Sequence, residues 1–315
     1  MSGVWRRQVM AVVVFGSINM DLVVQTPRLP AAGETLTGRH FFTASGGKGA
    51  NQAVACARLG TTTRMVGRIG DDLFGSTLRD NLYNDGVDVS GVATTHDYPS
   101  GVAVIAVNDA AENTIIVVPG ANGAIDPDDL AQLDIALTGA RVLLLQLEIP
   151  LDYVVAAARH ARQRNVTVIL DPAPARRLPD ELYGLVDILT PNETETSELV
   201  GFPIAGIETA ERAARVLFER GADGVIIKMG GKGTYLDNGE IREFLPAFPV
   251  TAVDTVAAGD AFNGGLATAL DEGRSLVEAI RWGMAAGACS VTKSGAQPSL
   301  PRREEVEALL GISSQ

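Results

Sequence analysis

Disulfide scaffolding is the first thing this chain lacks: its 315 residues include two cysteines, Cys56 and Cys289. Both fall in stretches that read as helix, with no metal-ligand neighbours at a useful spacing, so neither a disulfide framework nor a structural metal site is indicated. They read as small buried apolar residues in a reducing compartment, and the cytoplasm is the expected location. Aromatic residues amount to 5%, which gives little sign of a site that stacks a nucleoside base. Basic residues are also in deficit, 26 Lys and Arg against 38 Asp and Glu, leaving a formal net charge of -12. An acidic surface repels phosphate backbones and argues against nucleic acid as a partner, though not against a local basic pocket for a nucleotide. Nor does any apolar run approach the ~20 residues that span a bilayer, so no membrane association is expected. Arg6 and Arg7 ahead of the apolar run from Val9 to Phe15 loosely mimic a signal peptide. That run is too short, has no small-residue cleavage site after it, and turns polar at once in Gly16-Ser17-Ile18-Asn19-Met20-Asp21. It reads as a buried first strand. Repeats, low-complexity tracts and long linkers are absent too.

What the chain does have is 46% hydrophobic and 20% charged residues, the balance of a folded globular protein. Short β-branched runs at Ala11–Phe15, Arg64–Ile69, Val142–Leu147, Val166–Leu170, Asp187–Thr190 and Gly224–Met229 alternate with helical stretches near Ala50–Leu59, Leu73–Asn84, Leu151–Arg164 and Thr209–Arg220. Gly60, Gly86 and Gly221 follow three of these stretches, as left-handed caps do. Strands apolar on both faces, alternating with helices, predict a three-layer α/β/α fold with a mostly parallel central sheet. From Gly259 to Leu310 the pattern is nearly all helical. Leu22–Val24 with Glu34–Phe42, and Gly101–Val107 with Thr114–Val118 around a turn at Asn108–Asn113, read as strands with no helix between them. They predict a separate small β-sheet, a lid over a site or a dimer surface. The expected division is an α/β domain of residues 1–16, 46–97 and 123–315, with the lid from 17–45 and 98–122.

Four motifs carry chemistry. In Val253-Asp254-Thr255-Val256-Ala257-Ala258-Gly259-Asp260-Ala261-Phe262-Asn263-Gly264-Gly265, small residues lead into a helix whose first turn offers free N–H groups and a positive dipole end. Asp260 there is placed to take a proton from an alcohol while those amides hold the phosphoryl group under attack. Standing alone, it also reads as an N-capping Asp. Ser45-Gly46-Gly47-Lys48-Gly49-Ala50-Asn51-Gln52-Ala53 is not a Walker A loop, because no Gly-Lys-Ser/Thr occurs. Its glycines allow close backbone approach, and Lys48 and Asn51 offer donors for hydroxyl groups. Asn19 and Asp21, after the first strand, stand where α/β sheets bind ligands and suit a vicinal diol. In Thr190-Pro191-Asn192-Glu193-Thr194-Glu195, Asn192 and Glu195 lie three apart at a helix start, where Glu195 suits a water-mediated hold on Mg2+ or a plain helix cap. The fourth motif, Lys228-Met229-Gly230-Gly231-Lys232-Gly233, is a glycine-rich strand end able to approach a nucleotide.

In order and spacing, from Val12 to about Leu310, these motifs resemble the ribokinase (pfkB-type) family of carbohydrate kinases, which includes fructokinase and adenosine kinase. The Gly46–Gln52 and Val253–Gly264 stretches are the most specific. Together with Gly16–Asp21, Asp171-Pro172-Ala173-Pro174-Ala175, Thr190–Glu195 and Gly295-Ala296-Gln297-Pro298-Ser299 they are most similar to the branch that acts on ribose. The resemblance implies ATP-dependent phosphorylation of ribose at O5. It implies sugar contacts from Asn19, Asp21, Gly47, Lys48, Asn51 and Glu148, and Asp260 as the base. It implies an ATP site at Asn192, Lys228, Gly230, Gly233 and Gly259, with an anion hole from the Ala257, Ala258, Gly259 and Asp260 amides. It further implies K+ beside that hole, held by Asp254, Val256, Ser290, Lys293, Gly295 and Ser299, and a homodimer. Two residues depart from the family pattern: Lys228 stands where Thr is frequent, and Met284 where an adenine-side His is frequent. The alternatives are a kinase of the same family acting on deoxyribose, fructose, 2-keto-3-deoxygluconate or a nucleoside, and a non-catalytic sugar sensor.

Overall fold

Four apolar residues in a row, with no polar face, force the first and eighth strands into the interior of a sheet covered on both sides. In the computed structural model, which describes residues 10–110 and 112–312, the chain begins with β1 (Val12–Phe15), β2 (Asn19–Gln25), β3 (His40–Gly46), α1 (Lys48–Arg58), β4 (Thr63–Gly70), α2 (Leu73–Asn84) and β5 (Asp88–Thr95). A hairpin of β6 (Gly101–Val107) and β7 (Asn113–Val118) follows, then α3 (Pro127–Ala136), β8 (Val142–Leu145), α4 (Leu151–Arg162), β9 (Thr167–Leu170), the single turn α5 (Asp180–Tyr183) and β10 (Ile188–Leu189). Next come α6 (Glu193–Val200), α7 (Ile207–Glu219), β11 (Val225–Lys228), β12 (Gly233–Asp237), β13 (Arg242–Pro246), α8 (Ala258–Asp271), α9 (Leu276–Ser290) and α10 (Arg303–Leu310). Arg6, Arg7 and Val9 of the signal-like segment, and Ala111 of the β6–β7 turn, lie outside the described residues.

Nine strands form the main sheet in the order β13-β12-β11-β10-β9-β8-β1-β4-β5, parallel from β11 to β5, with β12 and β13 antiparallel at one edge. Side chains of β1 alternate between two cores. Val12 and Val14 pack with α1, α8 and α9 through residues such as Val54, Leu266 and Ile280. Val13 and Phe15 pack on the other face with Leu133, Val154 and Leu217 of α3, α4 and α7. This is the expected α/β/α layering. The chain leaves β1 toward β4 on one side and β8 on the other, so the carboxyl ends of β1 and β8 flank a topological switch, where α/β sheets bind ligands.

The small sheet has the order β3-β2-β6-β7. Its predicted strand Glu34–Phe42 is displaced: β3 runs from His40 to Gly46. The cause is local, because Glu34 pairs with Arg28 and accepts the Ala31 N–H at 3.0 Å, folding 28–34 into a turn. Directly paired residues share a face, so Phe42, Val23, Ile105 and Ile115 make one row across four strands. Ala44, Asp21, Ala103 and Val117 make the row two residues along, on the same face as Asp21. Every residue of β7 is exposed, an apolar strand with an open edge.

Sequence patterns miss β5, α3 and the β12–β13 pair. The residues from Ala247 to Val256 are an irregular connection. The predicted caps are present, with φ of +89° at Gly60, +86° at Gly86 and +111° at Gly221.

Candidate active site

Asp260 sits in the first turn of α8 and is buried, 5% exposed. The helix begins abruptly because Ala257 adopts a left-handed conformation, φ +60°. An alanine there is strained, and such strain gathers at functional turns. Ala258 N–H closes a long 3.3 Å turn bond to Thr255 O. The amides of Gly259 and Asp260 have no backbone acceptor among the described residues, as first-turn amides generally do. The Ala257 N–H also has no acceptor among the described residues, so three of the four predicted anion-hole amides are free and only that of Ala258 is engaged.

Helix α1 brings the donors. Asn51 Nδ2 donates to Asp260 Oδ2 at 2.9 Å, and Gln52 Nε2 donates to Asp260 Oδ1 at 3.1 Å. The helix lies this deep because its first turn is glycine: a Cβ on Gly49 would stand 2.7 Å from the Gly16 carbonyl carbon. Gly47, φ +88°, would place a Cβ 2.7 Å from Asn19 N. Both positions therefore exclude every other residue. Burial pushes the Asp260 carboxyl up to about 6, with Asp171 adding to the rise and Lys48, Asn51 and Gln52 opposing it.

The sugar-side candidates cluster beside it. Asp21 packs against Gly46, where a Cβ would lie 2.4 Å from Asp21 Oδ2. Burial, with Glu148 and Asp260 nearby, raises the Asp21 carboxyl to about 7. Glu148 Oε2 accepts the Ser17 hydroxyl and the Lys48 N–H, the latter at 3.1 Å, locking the end of β8 onto the start of α1. Burial works against the Lys48 ammonium, yet Asp260, Asp171, Glu148 and Glu195 together hold it above its ordinary value. Asn19 Oδ1 accepts from Asn122 Nδ2 at 2.7 Å, and Asn122 also exchanges bonds with the Ile18 backbone. Sequence reasoning missed Asn122, an unremarked asparagine in a single-turn segment 103 positions from Asn19.

Asp260 and Lys48 also border a cavity of about 680 Å³ lined by Asn192, Glu195, Lys228, Gly230, Gly231, Gly233, Gly259 and Met284. Met284 is buried in its apolar part beside Phe248, Phe262 and Val291. Lys228 Nζ donates to Asp171 Oδ1 at 2.9 Å and lies 3.4 Å from where a Cβ on Gly259 would stand, over the start of α8. Lys232, by contrast, is exposed at the rim and pairs with Glu193 at 2.8 Å. Glu195 is a helix cap as well as a cavity residue: its oxygens accept the Asn192 N–H and Nδ2 at 2.7 and 2.9 Å. Burial raises its carboxyl, with Lys228 opposing.

The six residues expected around K+ are also brought together. Asp254 accepts N–H groups from Val256 at 3.0 Å and Gly295 at 2.9 Å, tying the approach to α8 to the loop after α9. Ser290 and Ser299 share a 2.9 Å hydroxyl bond, and Ser290 O accepts the Lys293 N–H at 3.0 Å. The Lys293 ammonium does not fold inward; it pairs with Glu305 at 2.5 Å. A carboxylate, hydroxyls and carbonyls are a donor set suited to a hard or large cation. Among the described residues no group of three or more His, Cys, Asp or Glu side chains could hold a metal.

A buried carboxylate at a helix start, donors for hydroxyls on one side and a glycine- and lysine-lined cavity on the other define a phosphotransferase acting on a small hydroxylated molecule. Residues 10–303 match the family described as pfkB family carbohydrate kinase, and the chain belongs to that family. It is 44% identical to the ribokinase of Haemophilus influenzae over 93% of this chain and 95% of the relative. The crystal structure of ribokinase from Thermotoga maritima superposes with a TM-score of 0.88 at 39% identity, covering 96% of this chain and 99% of that one. The Arabidopsis thaliana ribokinase, described as complexed with ribose and ATP, superposes with a TM-score of 0.89 at 36% identity and the same coverage. Among the described residues no helix is long and apolar enough to cross a membrane.

Proposed function

We propose that this chain transfers the γ-phosphoryl group of ATP to the 5-hydroxyl of D-ribose, giving D-ribose 5-phosphate and ADP. The observation that carries this reading is Asp260, buried at the start of α8 between two amide donors and bordering both the hydroxyl-binding cluster and the glycine-lined cavity. In the proposed step Asp260 takes the O5 proton, O5 bonds to the γ-phosphorus, and the bond to the β-phosphate oxygen breaks. The Gly259 and Asp260 amides stabilise the charge on the transferring group, joined by Ala257 and Ala258 as the turn allows. Asn19, Asp21, Gly47, Lys48, Asn51 and Glu148 hold the sugar. Asn192, Lys228, Gly230, Gly231, Gly233 and Met284 line the nucleotide side, with Lys232 at its rim. Relatives named as ribokinases, one described with ribose and ATP, support ribose and ATP as the substrate pair.

Glu195 would hold Mg2+ through water, and the ion would neutralise phosphate charge there. Asp254, with oxygens of Val256, Ser290, Lys293, Gly295 and Ser299, would hold K+, which would add positive charge beside the anion hole. The small sheet, residues 17–45 and 98–122, acts as a lid on the domain formed by the remaining segments. Its exposed apolar strand supports pairing with a second copy as a homodimer. The free thiols Cys56 and Cys289 suit a cytoplasmic location. The test is ADP formation with ribose, 2-deoxyribose, fructose and adenosine, each with and without K+. The highest kcat/KM is expected on ribose; a preference for another acceptor overturns the substrate, and no sugar-dependent ADP overturns the activity.

A further inference from the structure

Gln52 and Gln146 are both fully buried, and long polar side chains in that position must have their groups paired. Chemistry dictates how they point. The carboxylates Asp171 and Asp260 only accept, so Gln52 must turn its NH2 toward them. It donates to Asp260 Oδ1 at 3.1 Å and to Asp171 Oδ2 at 3.0 Å. Its carbonyl end then needs a donor, and Gln146 Nε2 supplies one at 2.7 Å. That choice leaves Gln146 Oε1 buried with no partner. It points at Gly16, where a Cβ would lie 2.0 Å away, so any side chain at position 16 would displace the Gln146 amide. Two apolar side chains would fill the same volume without an orphaned acceptor. The polar pair carries a penalty that packing alone does not explain.

The pair's effect falls on the carboxylate of Asp260. Asn51 holds Oδ2 and Gln52 holds Oδ1, so both oxygens are gripped and the plane of the group is fixed. The same Gln52 amide grips Asp171, whose second oxygen takes the Lys228 ammonium at 2.9 Å. Rotation of the carboxylate on the sugar side is thereby coupled to a cation on the nucleotide side.

We propose that Gln52, oriented by Gln146, is a positioning residue for the transfer step: it fixes the Asp260 carboxylate toward the acceptor hydroxyl and ties it through Asp171 to Lys228. This rests on the reading of Asp260 as the base. Misplacement of a reacting group by about 1 Å costs on the order of 10²-fold in rate.

The experiment compares wild type, Gln52→Met, Gln146→Met, their double variant and Asp260→Asn in ribose-dependent ADP formation. Gln52→Met should lower kcat by about 10–100-fold and leave KM for ribose and for ATP within about threefold, the signature of a group acting on the transition state rather than on binding. Gln146→Met should lower kcat less, and the double variant should be no worse than Gln52→Met alone, since both act through one amide. Wild-type kcat in Gln52→Met, a fall in kcat matched by a rise in KM, or additive losses would each overturn the proposal. If Gln52→Met does not fold, wild-type kcat in Gln146→Met overturns it instead. Retained turnover in Asp260→Asn removes the base reading and the bridge with it, whereas an inactive Asp260→Asn beside a fully active Gln52→Met sinks the bridge alone.

Discussion

Lys228 Nζ lies 2.9 Å from Asp171 Oδ1, an ion pair with side chains 14% and 3% exposed that joins the end of β11 to the chain after β9. A pair this sheltered is costly to break from one side, because the remaining charge stays buried, by about 3–5 kcal/mol. Lys228→Met should therefore lower the melting temperature, and the lysine's cavity-facing position puts the loss near the low end of that range. Lys228→Met with Asp171→Asn should recover much of it, because neither charge is then left alone. Equal melting for the single and double variants would show the pair contributes nothing.

The acid limb of turnover should reflect carboxyls raised by burial. Asp260, at about 6, must be ionised to accept a proton, so kcat/KM should fall as pH drops below that value. Asp21, at about 7, should steepen the fall between pH 7 and 6. Stability runs the other way: the folded state holds the Asp260 proton more tightly than the unfolded chain does. Its contribution is present below about 3.8 and is lost as pH rises through about 6. Between pH 4 and pH 8 the stability of Asp260→Asn should gain on wild type by up to about 3 kcal/mol. A pH-independent difference in denaturant midpoint would contradict the burial of that charge.

Light scattering at micromolar concentration should report a dimer. Ile115 and Ile116, 52% and 61% exposed, point to opposite faces of β7. Ile115→Asp with Ile116→Asp places one charge on each face and should give a monomer with a raised KM for ribose. A fully active wild-type monomer would contradict both the pairing and its link to the site.

Turnover in Tris or sodium buffer should rise on adding K+ at fixed Mg2+, by roughly tenfold if the ion contributes about 1.4 kcal/mol at the transition state. Asp254→Asn should abolish the response. Rates indifferent to K+ would mean that the hydrogen bonds from Val256 and Gly295 to Asp254 already organise the loop.

Much of the site is written locally, since most motifs follow a strand directly, the one around Asp260 excepted, and the fold only has to gather them. Glycines at 46, 47 and 49 announce close backbone approach, and small residues from 257 to 259 announce a helix start. What stays hidden is pairwise. Asn122 meets Asn19, and Gln52 meets Asp171, across more than a hundred residues each. A single buried polar residue in a helix or turn carries no mark of its distant partner. The β12–β13 edge was missed for a related reason: Arg242–Pro246 mixes charged and apolar residues because its outer side has no neighbouring strand. Glu34 reads as strand because a turn stabilised by Arg28 is indistinguishable by composition from a polar strand.

Helix α1 meets α8 almost backbone to backbone: a Cβ on Gly264 would stand 2.4 Å from the Ala55 Cβ. With only the Ala55 methyl between them, the helices carrying Asn51 and Asp260 have little to repack, and the proposed base is in place before any acceptor arrives. Such a base does not distinguish a sugar hydroxyl from a water molecule. On the proposed reading, wasteful hydrolysis of ATP is suppressed by access, a task that falls to the four-stranded sheet proposed as the lid.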